Sequence, residues 1–100
     1  MIVEHAWLSV DEGREEEFMV SVVGALAIIE GAPQCHGAQV QRQVEDPRIF
    51  LLLVQWASVQ AHMDFRESDQ FVEWRARTAP FYASPAVVTH FSQPLERPRY

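Results

Sequence analysis

The chain has 100 residues, 48% of them apolar and 22% charged, with only 4 Gly and 6 Pro, which is the profile of one folded domain spanning residues 1–100 and not of a disordered or fibrous chain. The net charge is −6 and all 8 basic residues are Arg, so no basic stripe is available for nucleic acid or an anionic membrane surface. A single cysteine, Cys35, rules out an internal disulfide and a multi-cysteine metal cluster, and neither a membrane span nor a signal peptide is evident, so a soluble, cytoplasmic protein is expected.

Ile2 to Val10 is rich in β-branched and aromatic residues and reads as a first strand. Asp11 is positioned to cap a helix whose first turns carry Glu12, Glu15, Glu16 and Glu17, carboxylates favoured by the positive end of the helix dipole. Phe18, Met19, Val22, Val23, Leu26 and Ile29 then form an apolar stripe at helical spacing, and Gly31 and Pro33 end it. A second strand is expected from about His36 to Val44, a turn at Asp46-Pro47-Arg48, and a third strand from Ile49 to Trp56. Ser58 caps a short helix through Arg66. Ser68 caps another, with Phe71, Trp74, Thr78 and Phe81 on one face, and Ala86 to Phe91 forms a last strand before a polar tail, 94–100.

The order β-α-β-β-α-β predicts an α+β, ferredoxin-like domain with a four-stranded antiparallel sheet. Ile49, Leu51 and Leu53 point to one side of the third strand, and Phe50, Leu52, Val54 and Trp56 to the other. Val3 and Trp7 likewise lie opposite Ile2, Ala6 and Leu8. Helices are available for only one face, so a second copy of the chain, packed sheet to sheet as a homodimer, is expected on the other.

The segments Trp56-Ala57-Ser58-Val59-Gln60-Ala61 and Ser68-Asp69-Gln70-Phe71, together with Trp74 and the proline-containing approach to the last strand, resemble the antibiotic biosynthesis monooxygenase (ABM) family. So does Val10-Asp11-Glu12-Gly13-Arg14-Glu15-Glu16-Glu17-Phe18, and the similarity extends over about residues 2–93. The resemblance implies a dimeric α+β barrel and oxidation of an electron-rich aromatic, phenol or quinol by O₂ without metal or flavin. Many members carry a histidine where this chain has Phe65. The haem-degrading branch needs an Asn, a Trp and a His where this chain has Ala6, Phe65 and Arg75, so haem would lack its axial ligand and haem degradation is not expected.

Cofactor-free oxygenation needs a base, a polar or cationic group for the substrate oxyanion, and a dry aromatic pocket. His62 is the candidate base and Arg66, one helical turn on, the candidate oxyanion partner. Trp56, Phe65, Trp74, Arg75 and Tyr82 are the candidate substrate-binding residues. The structural alternatives are a half-exposed surface histidine, arginines paired with Asp64, Glu67, Asp69 or Glu73, and aromatics that simply fill the core. His5, His36, His62 and His90 lack the spacing of metal ligands on one element. His5 and His90 could meet across neighbouring strands but would lack a third ligand, so neither metal nor cofactor is expected. Two other functions fit the same residues: a non-catalytic small-ligand-binding or structural dimer, and an isomerase or cyclase working without O₂.

Overall fold

The computed structural model describes residues 1–98; the last two residues of the expected polar tail lie outside the described residues. The elements are β1 (Ile2–Ser9), α1 (Glu15–Glu30), β2 (Cys35–Arg42), β3 (Ile49–Trp56), α2 (Val59–Arg66), α3 (Asp69–Thr78), a 3₁₀ turn (Ala79–Phe81) and β4 (Val87–Ser92). The four strands form one antiparallel sheet in the order β2-β3-β1-β4, the ferredoxin-like α+β arrangement.

Asp11 does not cap α1. The chain turns first through Gly13 at φ +87°, with the Arg14 N–H donating to the Asp11 carbonyl at 3.1 Å, and the helix starts at Glu15 without a side-chain cap. Arg14 instead lies over the Phe81 ring at 4.2 Å and donates to the Pro80 carbonyl at 3.2 Å, tying the helix start to the 3₁₀ turn. The apolar stripe is narrower than expected. Phe18, Val22, Ala25 and Ile29 are buried, whereas Met19 and Val23 face out. At the other end Gly31 remains in the right-handed region, and the reversal into β2 falls on Gln34 at φ 63°. β2 stops at Arg42, short of the expected Val44, because the turn closes around Asp46: its carbonyl accepts from Ile49 N–H at 3.0 Å and its carboxylate from Arg48 N–H at 3.1 Å.

The α2 and α3 caps form as expected. Ser58 Oγ accepts from Ala61 N–H at 3.1 Å, and Ser68 Oγ from Phe71 N–H at 3.3 Å. Since α2 has only 8 residues, Ser58→Ala should destabilise the protein by about 1 kcal/mol in urea denaturation.

All helices pack on one face of the sheet. On that face Ala6, Leu8, Phe50, Leu52, Val54 and Trp56 are buried, and Phe18 meets Phe50 edge-on at 4.9 Å. On the other face Val3, His5, Trp7, Leu51 and Leu53 are half-buried, and Val87 and Phe91 are exposed. Both sides of β1 and β3 are apolar, as the alternation predicts. No helix among the described residues is long and apolar enough to cross a membrane.

Candidate functional site

Strand alternation and register place one carboxylate among the apolar side chains beneath the helices. Glu4 shares its side of β1 with Ala6 and Leu8, and its register partners are Val54 on β3 and His90 on β4. α2, started by Ser58 directly after β3, brings His62 down onto this point. Glu4 Oε1 accepts from Trp56 Nε1–H at 3.0 Å and lies 3.2 Å from His62 Nε2. His62 Nδ1 is 2.8 Å from His90 Nε2, and the His62 ring stacks on Trp56 with centroids 5.3 Å apart. Glu4 and His62 are 5% and 4% exposed, so the pair is withdrawn from solvent.

Burial sets the charge state of both groups. It raises the Glu4 carboxyl from the usual 4.5 to about 7, against the lowering effects of the Trp56 hydrogen bond and the Arg66 charge. It lowers His62 from 6.5 to about 4, helped by His90 and Arg66. The pair therefore stays uncharged between about pH 4 and pH 7, as carboxylic acid and neutral imidazole. Above that range Glu4 ionises and His62 remains neutral.

Both side chains border a cavity of about 240 Å³. Its floor is Ala6, Leu8 and Leu52, and Phe71 and Trp74 of α3 form a wall. Arg66 and Arg75 lie at its edge with their guanidinium carbons 5.9 and 6.0 Å from the Phe71 ring centre. Neither arginine forms an ion pair among the described residues, and Glu73 pairs with Arg77 at 3.0 Å. Tyr82 closes the far side. Its backbone bridges Val10 at the end of β1, and burial pushes its hydroxyl up from 10, so it remains a hydrogen-bond donor.

Of the seven side chains singled out in the sequence, five border this cavity: His62, Arg66, Trp74, Arg75 and Tyr82. Trp56 and Phe65 do not. Trp56 is fully buried behind Glu4 and His62, and Phe65 packs between Trp56 and Phe71 at 5.5 and 5.7 Å. His5 does not meet His90. It pairs with Thr89 on the opposite face of the sheet and lies against Phe91, the two rings tilted by 45° with centres 4.4 Å apart. Among the described residues no group of three or more His, Cys, Asp or Glu is placed to hold a metal ion.

The sequence does not single out Glu4, and it brings in His90 only as a neighbour of His5 and not as a partner of His62. The visible trace of Glu4 was an acid interrupting the series Ile2, Ala6, Leu8 on the inward side of β1, a place where carboxylates are rare unless partnered. His90 left no such trace, because its meeting with His62 depends on tertiary packing across 28 residues.

The uncharacterised Bacillus subtilis protein YczJ is 34% identical over 92 residues, covering 91% of this chain and 97% of that protein. A Bordetella bronchiseptica structure, provisionally named an antibiotic biosynthesis monooxygenase, superposes with a TM-score of 0.90 at 38% identity, covering 94% of this chain and 97% of that one. A Nitrosomonas europaea structure with the same provisional name has a TM-score of 0.79 at 18% identity over 92% of this chain and 97% of that one, and speaks to the fold alone. The family model described as antibiotic biosynthesis monooxygenase matches residues 1–77, which carry β1 with Glu4, α2 with His62 and nearly all of α3, and the chain belongs to that family.

Proposed function

We propose that this protein is a cofactor-independent monooxygenase that oxidises an electron-rich aromatic, phenol or quinol with O₂. The observation that carries the reading is the pairing, in one cavity, of a buried ionisable Glu4–His62 cluster with aromatic walls and two arginines that form no ion pair among the described residues. Triplet O₂ reacts slowly with closed-shell organic molecules and quickly with an electron-rich anion. Removing a proton from the substrate in a site shielded from water supplies that anion. Arg66, Arg75 and Tyr82 border the space where they can hold the developing oxyanion, and Phe71 and Trp74 line it with aromatic side chains. For a methylene substrate the balance is R₂CH₂ + O₂ → R₂CO + H₂O: one oxygen atom enters the product, the other leaves as water, and the substrate itself is the reductant.

The protein acts as a homodimer joined through the open sheet face. Rows such as Gln39–Leu53–His5–Thr89 and Gln41–Leu51–Trp7–Val87 run across that face and carry no Asp, Glu, Lys or Arg. A second copy can therefore approach it without like-charge repulsion, although the chain as a whole carries −6.

Oxygen uptake by metal-chelated protein, measured with anthrones, naphthols and hydroquinones, tests the reaction. Uptake is expected above the autoxidation of at least one class, with Arg66→Ala and Arg75→Ala each reducing kcat/KM by roughly tenfold or more. Uptake equal to autoxidation throughout overturns the reading. Product formed equally well without O₂ replaces it with an isomerase or cyclase.

A further inference from the structure

We infer that Glu4 is the group that takes the substrate's proton, and that His62 is a positioning residue held in one tautomer by His90. The inference deepens the proposed reaction and rests on it for the identity of the substrate. His62 has two ring nitrogens, and both are engaged inside the protein: Nε2 with Glu4 at 3.2 Å and Nδ1 with His90 at 2.8 Å. Neither is left for a substrate without breaking a buried contact.

Glu4 is arranged the other way. Its Oε1 accepts from Trp56 Nε1–H and faces His62 Nε2, whereas Oε2 makes no hydrogen bond among the described residues, and Glu4 borders the cavity. An ionised carboxylate can only accept, so the 3.2 Å approach of His62 Nε2 is favourable only with a proton on that nitrogen. That leaves His62 Nδ1 to accept from His90 Nε2–H. Protonation of Glu4 at Oε2 leaves the Trp56 and His90 hydrogen bonds and the His62 contact in place. The carboxyl can therefore cycle between its two states with no rearrangement of the cluster, which His62 cannot do.

The step is a simple transfer. The substrate C–H or O–H bond breaks, its electron pair stays on the substrate as the enolate or phenolate, and the proton forms a bond to Glu4 Oε2. Arg66, Arg75 and Tyr82 face the same space from α2, α3 and the segment after the 3₁₀ turn, and can compensate the negative charge transferred from carboxylate to substrate. Burial holds Glu4 at about 7, so at neutral pH both its forms are populated.

Deuterium wash-in at the C–H of anthrone in oxygen-free D₂O reads this step apart from oxygenation. Wild type should accelerate exchange above the buffer rate, with a pH profile rising through about 7. Glu4→Gln, which conserves shape and an acceptor for Trp56, should lower the exchange rate by at least ~100-fold. His62→Phe should retain exchange but move the midpoint upward, since an apolar ring replaces the polar imidazole 3.2 Å from the carboxylate. Exchange at the wild-type rate in Glu4→Gln, or wild-type exchange no faster than buffer, overturns the assignment. An unmoved or lowered midpoint in His62→Phe overturns the positioning role. Glu4-dependent exchange without oxygen uptake by wild type keeps the assignment and overturns the oxygenase reading instead.

Discussion

Glu4→Gln should stabilise the folded protein by about 3 kcal/mol near pH 8 and by almost nothing near pH 4. Folding raises the carboxyl from 4.5 to about 7, so the folded state holds a proton through a window in which the unfolded chain has already released it. The contribution of Glu4 is fully present below pH 4.5, declines as pH rises toward 7, and stays at its lowest above that. His62 runs in the opposite sense. Its value falls from 6.5 to about 4 on folding, so its contribution is present above 6.5 and is lost as pH falls toward 4. In wild type the two slopes oppose each other between pH 4.5 and 6.5 and nearly cancel. In Glu4→Gln only the His62 slope remains, and stability should climb by about 3 kcal/mol from pH 4 to pH 6.5. Urea denaturation of both proteins across this range measures the difference directly, because all other titrations are common to them. A variant less stable than wild type at every pH would show that the hydrogen bond from Trp56 and the contact with His62 outweigh the burial of the charge. A carboxyl retained at a cost in stability, bordering a cavity, is the pattern expected of a residue kept for chemistry.

The backbone plan was legible because its determinants are local. Ser58 and Ser68 cap helices from positions that flank short apolar-periodic segments, and Ile49–Trp56 declares itself as a strand apolar on both sides. The misreadings of α1 are also local. Asp11 is as good a cap as Ser58 in composition, but Gly13 takes the chain through a positive φ and delays the helix to Glu15. Met19 and Val23 extend the apolar stripe in sequence, yet the sheet offers room only to Phe18, Val22, Ala25 and Ile29.

The site was legible in part, for a different reason. His62, Arg66, Trp74, Arg75 and Tyr82 come from one continuous stretch that borders the cavity, so nomination by region reaches them together. Trp56 and Phe65 belong to the same stretch and point elsewhere, because α2 presses them against the core, and their direction follows from packing rather than from spacing. Glu4 and His90 depend on strand register. β1 lies between β3 and β4, and only that order puts residues 4 and 90 opposite one another.

Leu53→Glu should convert the proposed dimer into a folded monomer, weakening association by at least ~1,000-fold, or about 4 kcal/mol. Leu53 lies in the row Gln39–Leu53–His5–Thr89 on the open face, pointing away from the helices, so the substitution leaves the core of each chain untouched. In a two-fold interface every substitution occurs twice, and two unpaired carboxylates withdrawn from water each cost several kcal/mol. Light scattering at micromolar concentration, with circular dichroism to verify folding, reads the result. Val20→Glu on the outer side of α1, where Val20 is 78% exposed, is the control and should leave the assembly intact. A wild-type monomer, or a Leu53→Glu protein still dimeric, would place the interface elsewhere or remove it. The monomeric variant also separates assembly from chemistry. Val3 and His5 on the open face alternate along β1 with Glu4 on the cavity side, so any support the partner gives to this strand reaches the carboxyl through the backbone. A Glu4 carboxyl that still titrates near 7 in the monomer means that one chain builds its own site. A fall toward 4.5 means that the second copy is needed to keep water away from it.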